Sequence, residues 1–106
     1  MGYVYLLLQT DDGGSESHKI GVSKRDVTNR IKELQTGNPN TITILTQYES
    51  KNYIKIEKWL HRKFKPKHEK GEWFKLSDSE VFAFIDECKI ADDNINFLLE
   101  NNEFYK

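Results

Sequence analysis

A chain of 106 residues, 37% hydrophobic, 31% charged and with a formal net charge of -1, is long enough for one domain around a single modest core. Its longest apolar stretch, around Val4 to Leu8, is far too short to span a bilayer, and no basic leader precedes an apolar run. The one cysteine, Cys88, has no internal partner for a disulfide, so the expectation is a cytoplasmic or nucleoid-associated protein, not secreted and with no membrane partner.

Tyr3 to Gln9 is rich in Tyr, Val and Leu and predicts a buried strand. Asp11-Asp12-Gly13-Gly14-Ser15 is a turn, and His18 to Val22 is a second strand that pairs with the first as a hairpin. Gly21 ends or bends that strand, where a side chain would obstruct a close approach. Ser23 or Asp26 caps a helix whose Val27, Ile31 and Leu34 form one apolar stripe, and Gly37 and Pro39 stop it. Thr41 to Tyr48, β-branched and aromatic, predicts a third strand. Asn52 to Phe64 predicts a second helix with Tyr53, Ile56, Trp59, Leu60 and Phe64 on one face and Lys55, Lys58 and Arg62 on the other. Pro66 to Gly71 reads as a basic loop, and Glu72 to Leu76 as a short extended segment. Ser77 and Glu80 have capping-box spacing, so a third helix starts there and turns Val81, Ile85 and Cys88 inward. Ala91-Asp92-Asp93-Asn94 reads as its break, with a last helical piece from Ile95 to Asn101.

That order predicts an α+β fold, a small three-stranded antiparallel sheet flanked by helices, rather than a doubly wound one. The expected organisation is a core over residues 1–77 and an acidic helical extension over 78–106 packed on the same domain. The charges divide along the same line. Residues 1–76 hold 14 Lys/Arg and 9 Asp/Glu; residues 77–106 hold 2 and 8. The basic excess is densest between Lys51 and Lys75, with 9 cations against 3 acids. Such a surface suits a polyanion partner, and it is also what a solvated helix face looks like.

Gly2-Tyr3-Val4-Tyr5-Leu6-Leu7 followed by Lys19-Ile20-Gly21-Val22 resembles the paired strands of the GIY-YIG nuclease superfamily. Arg30, then Leu34-Gln35-Thr36-Gly37-Asn38-Pro39, continues the pattern. So do Ile56-Glu57-Lys58-Trp59-Leu60-His61 and Gly71-Glu72-Trp73-Phe74, in the manner of a branch common in phages and large DNA viruses and regarded as DNA-binding. The resemblance covers roughly residues 2–77. It implies metal-assisted hydrolysis of DNA phosphodiesters with one divalent ion, Mg²⁺ or Mn²⁺, held by a helical Glu. The residue types suit that chemistry. A hard cation takes carboxylate oxygen and keeps several waters, lowers the pKa of bound water, and works beside a guanidinium that forks onto phosphate oxygens.

On periodicity alone Tyr5 is a core or half-buried strand tyrosine; the resemblance implies that it organises the attacking water. Tyr3, two residues away, shares its sheet face and is a weaker candidate. Lys19 stands where many relatives have a second tyrosine, and could act as a base or bind phosphate; an exposed strand lysine is the alternative. Arg30 flanks the stripe of its helix, and the resemblance gives it the phosphate. Glu57 borders the apolar stripe of the second helix, where a carboxylate needs a partner such as a cation, and its i+4 neighbour is His61 rather than Lys or Arg. It is the expected metal ligand. His61, one turn on, is a candidate for phosphate binding or proton transfer, or for a capping role. Glu72 joins the site or holds an Arg, while Trp73 and Phe74 close the core. Lys63, Lys65, Lys67 and Lys70 are the candidate contacts to the nucleic-acid backbone, sequence-blind and salt-sensitive. The expected partner is therefore DNA, with RNA not excluded. The leading function is an endonuclease, the alternative a weakly active or inactive nucleic-acid-binding module. A protein partner or homodimer through the C-terminal segment is a third expectation.

Overall fold

Alternating side chains make Gly2–Thr10 (β1) a strand with two apolar faces, and Glu16–Ser23 (β2) folds back on it. The computed structural model describes residues 1–36 and 40–101, the side chains of Asn29, Arg30 and Leu34 excepted. The turn between the strands is held by the Asp11 carboxylate, which accepts from the Gly13 and Ser15 amides at 2.9 Å each. Gly14, at φ +82°, supplies the left-handed residue. The register sets Tyr5 opposite Gly21 and Leu7 opposite Lys19. Thr41–Ser50 (β3) pairs with β1 on its other edge, with an irregularity between Leu6 and Leu7.

The sheet has five strands, not the expected three. His68–Lys70 (β4) and Trp73–Phe74 (β5) reverse at Gly71, which sits at φ +56°, and β5 docks on β2, giving the order β3-β1-β2-β5-β4. The segment expected to be a basic loop is thus a short 3₁₀ turn, Lys65–Lys67, followed by β4. Strand β4 is exposed at all its residues and carries no alternation that would mark it as a strand.

Two cores lie on opposite sides of the sheet. Val4, Leu6 and Ile20 face one way, with Ile56, Leu60 and Phe64 of the helix Tyr53–Lys63 (α2) and its C-cap. Tyr5 and Leu7 face the other way, with Val27 of the helix Val27–Gln35 (α1) and Ile42. Of the two candidate caps for α1, Asp26 is the one used: its carboxylate accepts from the Thr28 amide at 2.9 Å. Gly37 and Pro39, read as the stop of α1, and the Leu34 side chain lie outside the described residues.

Ser77 caps Asp78–Phe82 (α3) in a full capping box with Glu80. The chain then breaks at Ala83, and Phe84–Asn101 (α4) runs unbroken through the expected break at 91–94. The reason is tertiary. The Asp92 carboxylate accepts from Tyr48 Oη at 2.9 Å, Ser50 Oγ at 2.9 Å and Asn52 Nδ2 at 2.8 Å. Three buried or half-buried donors on β3 and the start of α2 therefore meet one acceptor on α4, which outweighs the weak helix propensity of Asp and Asn. Phe84, Cys88, Ala91 and Ile95 pack beneath this clasp into the α2-side core. Among the described residues no helix is long and apolar enough to cross a membrane.

Candidate functional site

Strand β5 is two residues long, and its shortness leaves a notch in the sheet. It pairs with β2 at His18 and Lys19, and just before it the Glu72 carbonyl accepts from the Ile20 amide at 3.1 Å. Beyond that point β2 has no strand neighbour on this side among the described residues. The Ile20 carbonyl is held instead by His61 Nε2 at 2.8 Å. A carbonyl can only accept, so Nε2 carries the hydrogen. The His61 ring stands edge-on to Phe74, 4.9 Å between centroids. His61 thus holds a strand carbonyl, which is not a helix cap.

Glu57 lies one helical turn before His61, next to the fully buried Ile56. Its Oε2 is buried and has no hydrogen-bond partner. Burial pushes the Glu57 carboxyl above the ordinary carboxylate range, and the nearby Glu72 pushes the same way, opposed by His61 and Lys58. Glu72 in turn holds the Lys19 ammonium at 3.6 Å, and that ammonium lies 6.0 Å from the centre of the Trp73 ring. Glu57, His61 and Glu72 thus converge near one residue of the β2 edge, Ile20, while Lys19, on the other face of that strand, reaches the group through Glu72. Two ionised carboxylates are both acceptors, so a proton or a cation must come between them for either to be satisfied by the other. Among the described residues no group of three His, Cys, Asp or Glu is placed to hold an ion unaided. One or two carboxylates with the rest of the shell left to water and phosphate is the arrangement that Mg²⁺ favours, and oxygen donors suit it.

Tyr5 is placed differently. It is 1% exposed and packs with Leu7, Val27 and Ile42 on the α1 side. Its ring crosses Gly21 so closely that a Cβ there would lie 2.5 Å from Tyr5 Cζ. That contact explains why this strand position is glycine. Tyr3 shares the Tyr5 face, as its spacing requires. Its hydroxyl is held above the usual tyrosine pKa by a hydrogen bond and the charge of Glu49. Arg30 lies in α1, on the Tyr5 side of the sheet, and its side chain is outside the described residues.

The model of one protein family, the T5orf172 domain, matches residues 2–89. The chain belongs to the T5orf172 domain family. It is a phage-type family. No curated protein and no solved structure matches the chain. The T5orf172 match runs from β1 into α4, takes in all four residues of the Glu57 cluster, and ends before Asp92.

The lysines expected to contact nucleic acid fall into two kinds within this T5orf172 domain. Lys63 pairs with Glu87 of α4 at 2.9 Å, and Lys67 with Glu80 of α3 at 3.7 Å. Lys65 and Lys70 are exposed, with no ion pair among the described residues. A groove of about 520 Å³ lies apart from Glu57, between α2 and α4, lined by the exposed Lys55, Lys58 and Arg62 over Trp59, Ile95, Leu98 and Leu99. No acid lines it. Glu72 is the residue whose place the sequence left most open, because only the docking of β5 carries it to Ile20.

Proposed function

We propose that this T5orf172 domain is a GIY-YIG-type endonuclease that hydrolyses DNA phosphodiester bonds with one divalent ion, Mg²⁺ or Mn²⁺. The observation that carries the reading is the buried, unpartnered Oε2 of Glu57, beside Glu72 and His61 at the open edge of β2. A carboxylate taken out of water without a hydrogen bond is costly, and a hard cation is the partner that would offset that cost. Glu57 would hold the ion; a bound divalent ion supplies an acidified water and neutralises charge on the phosphate. The resemblance gives the scissile phosphate to Arg30; its helix packs on the Tyr5 side of the sheet, opposite α2, so the phosphate would have to span the β2 edge between the two faces. Tyr5 is closed to bulk water at 1% exposure, so in this reading it sets the position of β2 rather than touching the attacking water. Lys19, with 14% of its side chain exposed on the same strand face, is the polar group left to meet phosphate. His61 would fix the Ile20 carbonyl at the rim of the site.

The purified chain is expected to nick supercoiled plasmid when Mg²⁺ or Mn²⁺ is added and not in chelator, with Glu57→Ala losing the nicking while still binding DNA. Undiminished cleavage by Glu57→Ala would sink the proposal. A second reading, a non-catalytic DNA-binding module, is favoured by the burial of Tyr5 and by the engagement of Lys19 with Glu72. It predicts binding that weakens with salt, no nicking with any divalent ion, and indifference to Glu57→Ala.

A further inference from the structure

Glu72 was expected either to join the site or to hold an Arg; the cation it holds is Lys19, and its backbone is fixed at the β2 edge. Its backbone is locked to β2 through the bond from the Ile20 amide at 3.1 Å, while His61 holds the carbonyl of the same residue at 2.8 Å. Glu57 is fixed by the helix that positions His61. The two carboxylates are thus delivered to the same stretch of strand edge by two independent elements, α2 and the β4–β5 hairpin. Glu57 brings an oxygen that has lost its water and gained no partner. Glu72 keeps 43% of its side chain in solvent, so it can share a cation that retains waters. Lys19, at 3.6 Å, is the counter-charge of Glu72.

We propose that Glu72 is the second carboxylate of the cation site built on Glu57, with Lys19 as its built-in counter-ion. The inference rests on the reading of Glu57 as a metal ligand. Charge balance supports it: two carboxylates and one ammonium carry a net single negative charge, a divalent ion turns that into a single positive one, and one phosphodiester neutralises it. Glu57 alone would neutralise half of the ion's charge and leave the Lys19 ammonium opposing it. Glu72 therefore does two things: it screens Lys19 from the ion, and it offers a second oxygen ligand on the solvent side.

The test is Mn²⁺ binding to the full chain without nucleic acid, followed by titration calorimetry and by loss of the free Mn²⁺ signal in electron paramagnetic resonance. The wild-type chain is expected to take up one ion, Glu57→Gln none, and Glu72→Gln to bind about 10- to 100-fold more weakly. Lys19→Met is expected to bind at least as tightly as wild type, since it removes a cation and no ligand. Wild-type affinity in Glu72→Gln would overturn the inference and leave Glu57 standing. Undiminished binding by Glu57→Gln, or no binding by the wild-type chain, would overturn the underlying reading as well. A measurement without variants runs alongside: the carboxyl carbon resonances of Glu57 and Glu72 should shift together as Mg²⁺ is added. A Glu72 resonance unmoved at saturation would overturn the proposal.

Discussion

Tyr5 and Gly21 act as one unit, because the ring of the first occupies the space where the second would have a Cβ. The sequence marked both, and the physical reason for the glycine is this contact. Gly21→Ala must push the Tyr5 ring against Val27 and Leu7, with a cost of about 1–3 kcal/mol from overpacking, read as a lowered thermal midpoint. Glu57 was legible as a carboxylate at the border of an apolar stripe; its sidedness relative to Tyr5 was not, since strand pattern alone cannot tell which helix covers which face. Its ionisation has a definite sign. The folded-state pKa is raised above the ordinary 4.5, so the ionised form destabilises the fold. Below that ordinary value the carboxyl is protonated in both folded and unfolded chains, and no such penalty exists. As pH rises through and beyond it, the unfolded chain loses its proton first and stability falls. Glu57→Gln, lacking that fall, should be more stable than wild type at neutral pH. The difference should close in acid, as read from denaturant unfolding at several pH values.

At the scale of elements, the hairpin β1–β2, the helix α1 with its Val27–Ile31 stripe, and the α2 face all follow from periodicity and caps. The two departures have a common cause. The β4–β5 hairpin is too short and too charged to declare itself, and it exists as sheet because β2 offers an edge. Helix α4 contains a run that locally favours a break, and it is continuous because Asp92 is claimed by Tyr48, Ser50 and Asn52. The Asn52 side chain shows the same priority: it stands at the N-cap of α2 yet makes no capping bond there, donating instead to Asp92 and to Asn96 Oδ1 at 2.7 Å. Burial and Asp92 together push the Tyr48 hydroxyl up to about 12. Asp92→Ala leaves three donors without an acceptor and should cost about 3 kcal/mol. Hydrogen exchange should then show α4 losing protection while β1 and β2 keep theirs. Equal loss across the molecule would mean that the clasp does not act on α4 in particular.

Across the whole molecule, the division of charge seen in the sequence becomes a contact between its halves. The acidic helices after Ser77 do not stand apart from the basic region; Glu80 and Glu87 neutralise Lys67 and Lys63. Counting lysines along the chain therefore overstates the surface open to a polyanion, and only the fold shows which cations are already taken. Lys65 and Lys70 stay exposed on the 3₁₀ turn and β4, the elements that also carry Glu72 to the β2 edge. Under the proposed function the DNA backbone is held by these two, so Lys65→Glu and Lys70→Glu should each weaken DNA binding. Each should also flatten the dependence of log affinity on log salt by about 0.9. Lys63→Glu and Lys67→Glu act otherwise. They set like charges against Glu87 and Glu80, so their first effect should be a lowered unfolding midpoint, with a smaller change in salt slope. Binding isotherms at four or five salt concentrations, read beside melting curves for the same variants, separate the two kinds. If all four variants lost the same slope with no change in stability, the pairs to α3 and α4 would be open in solution, and the basic surface would extend the full length from Lys63 to Lys70.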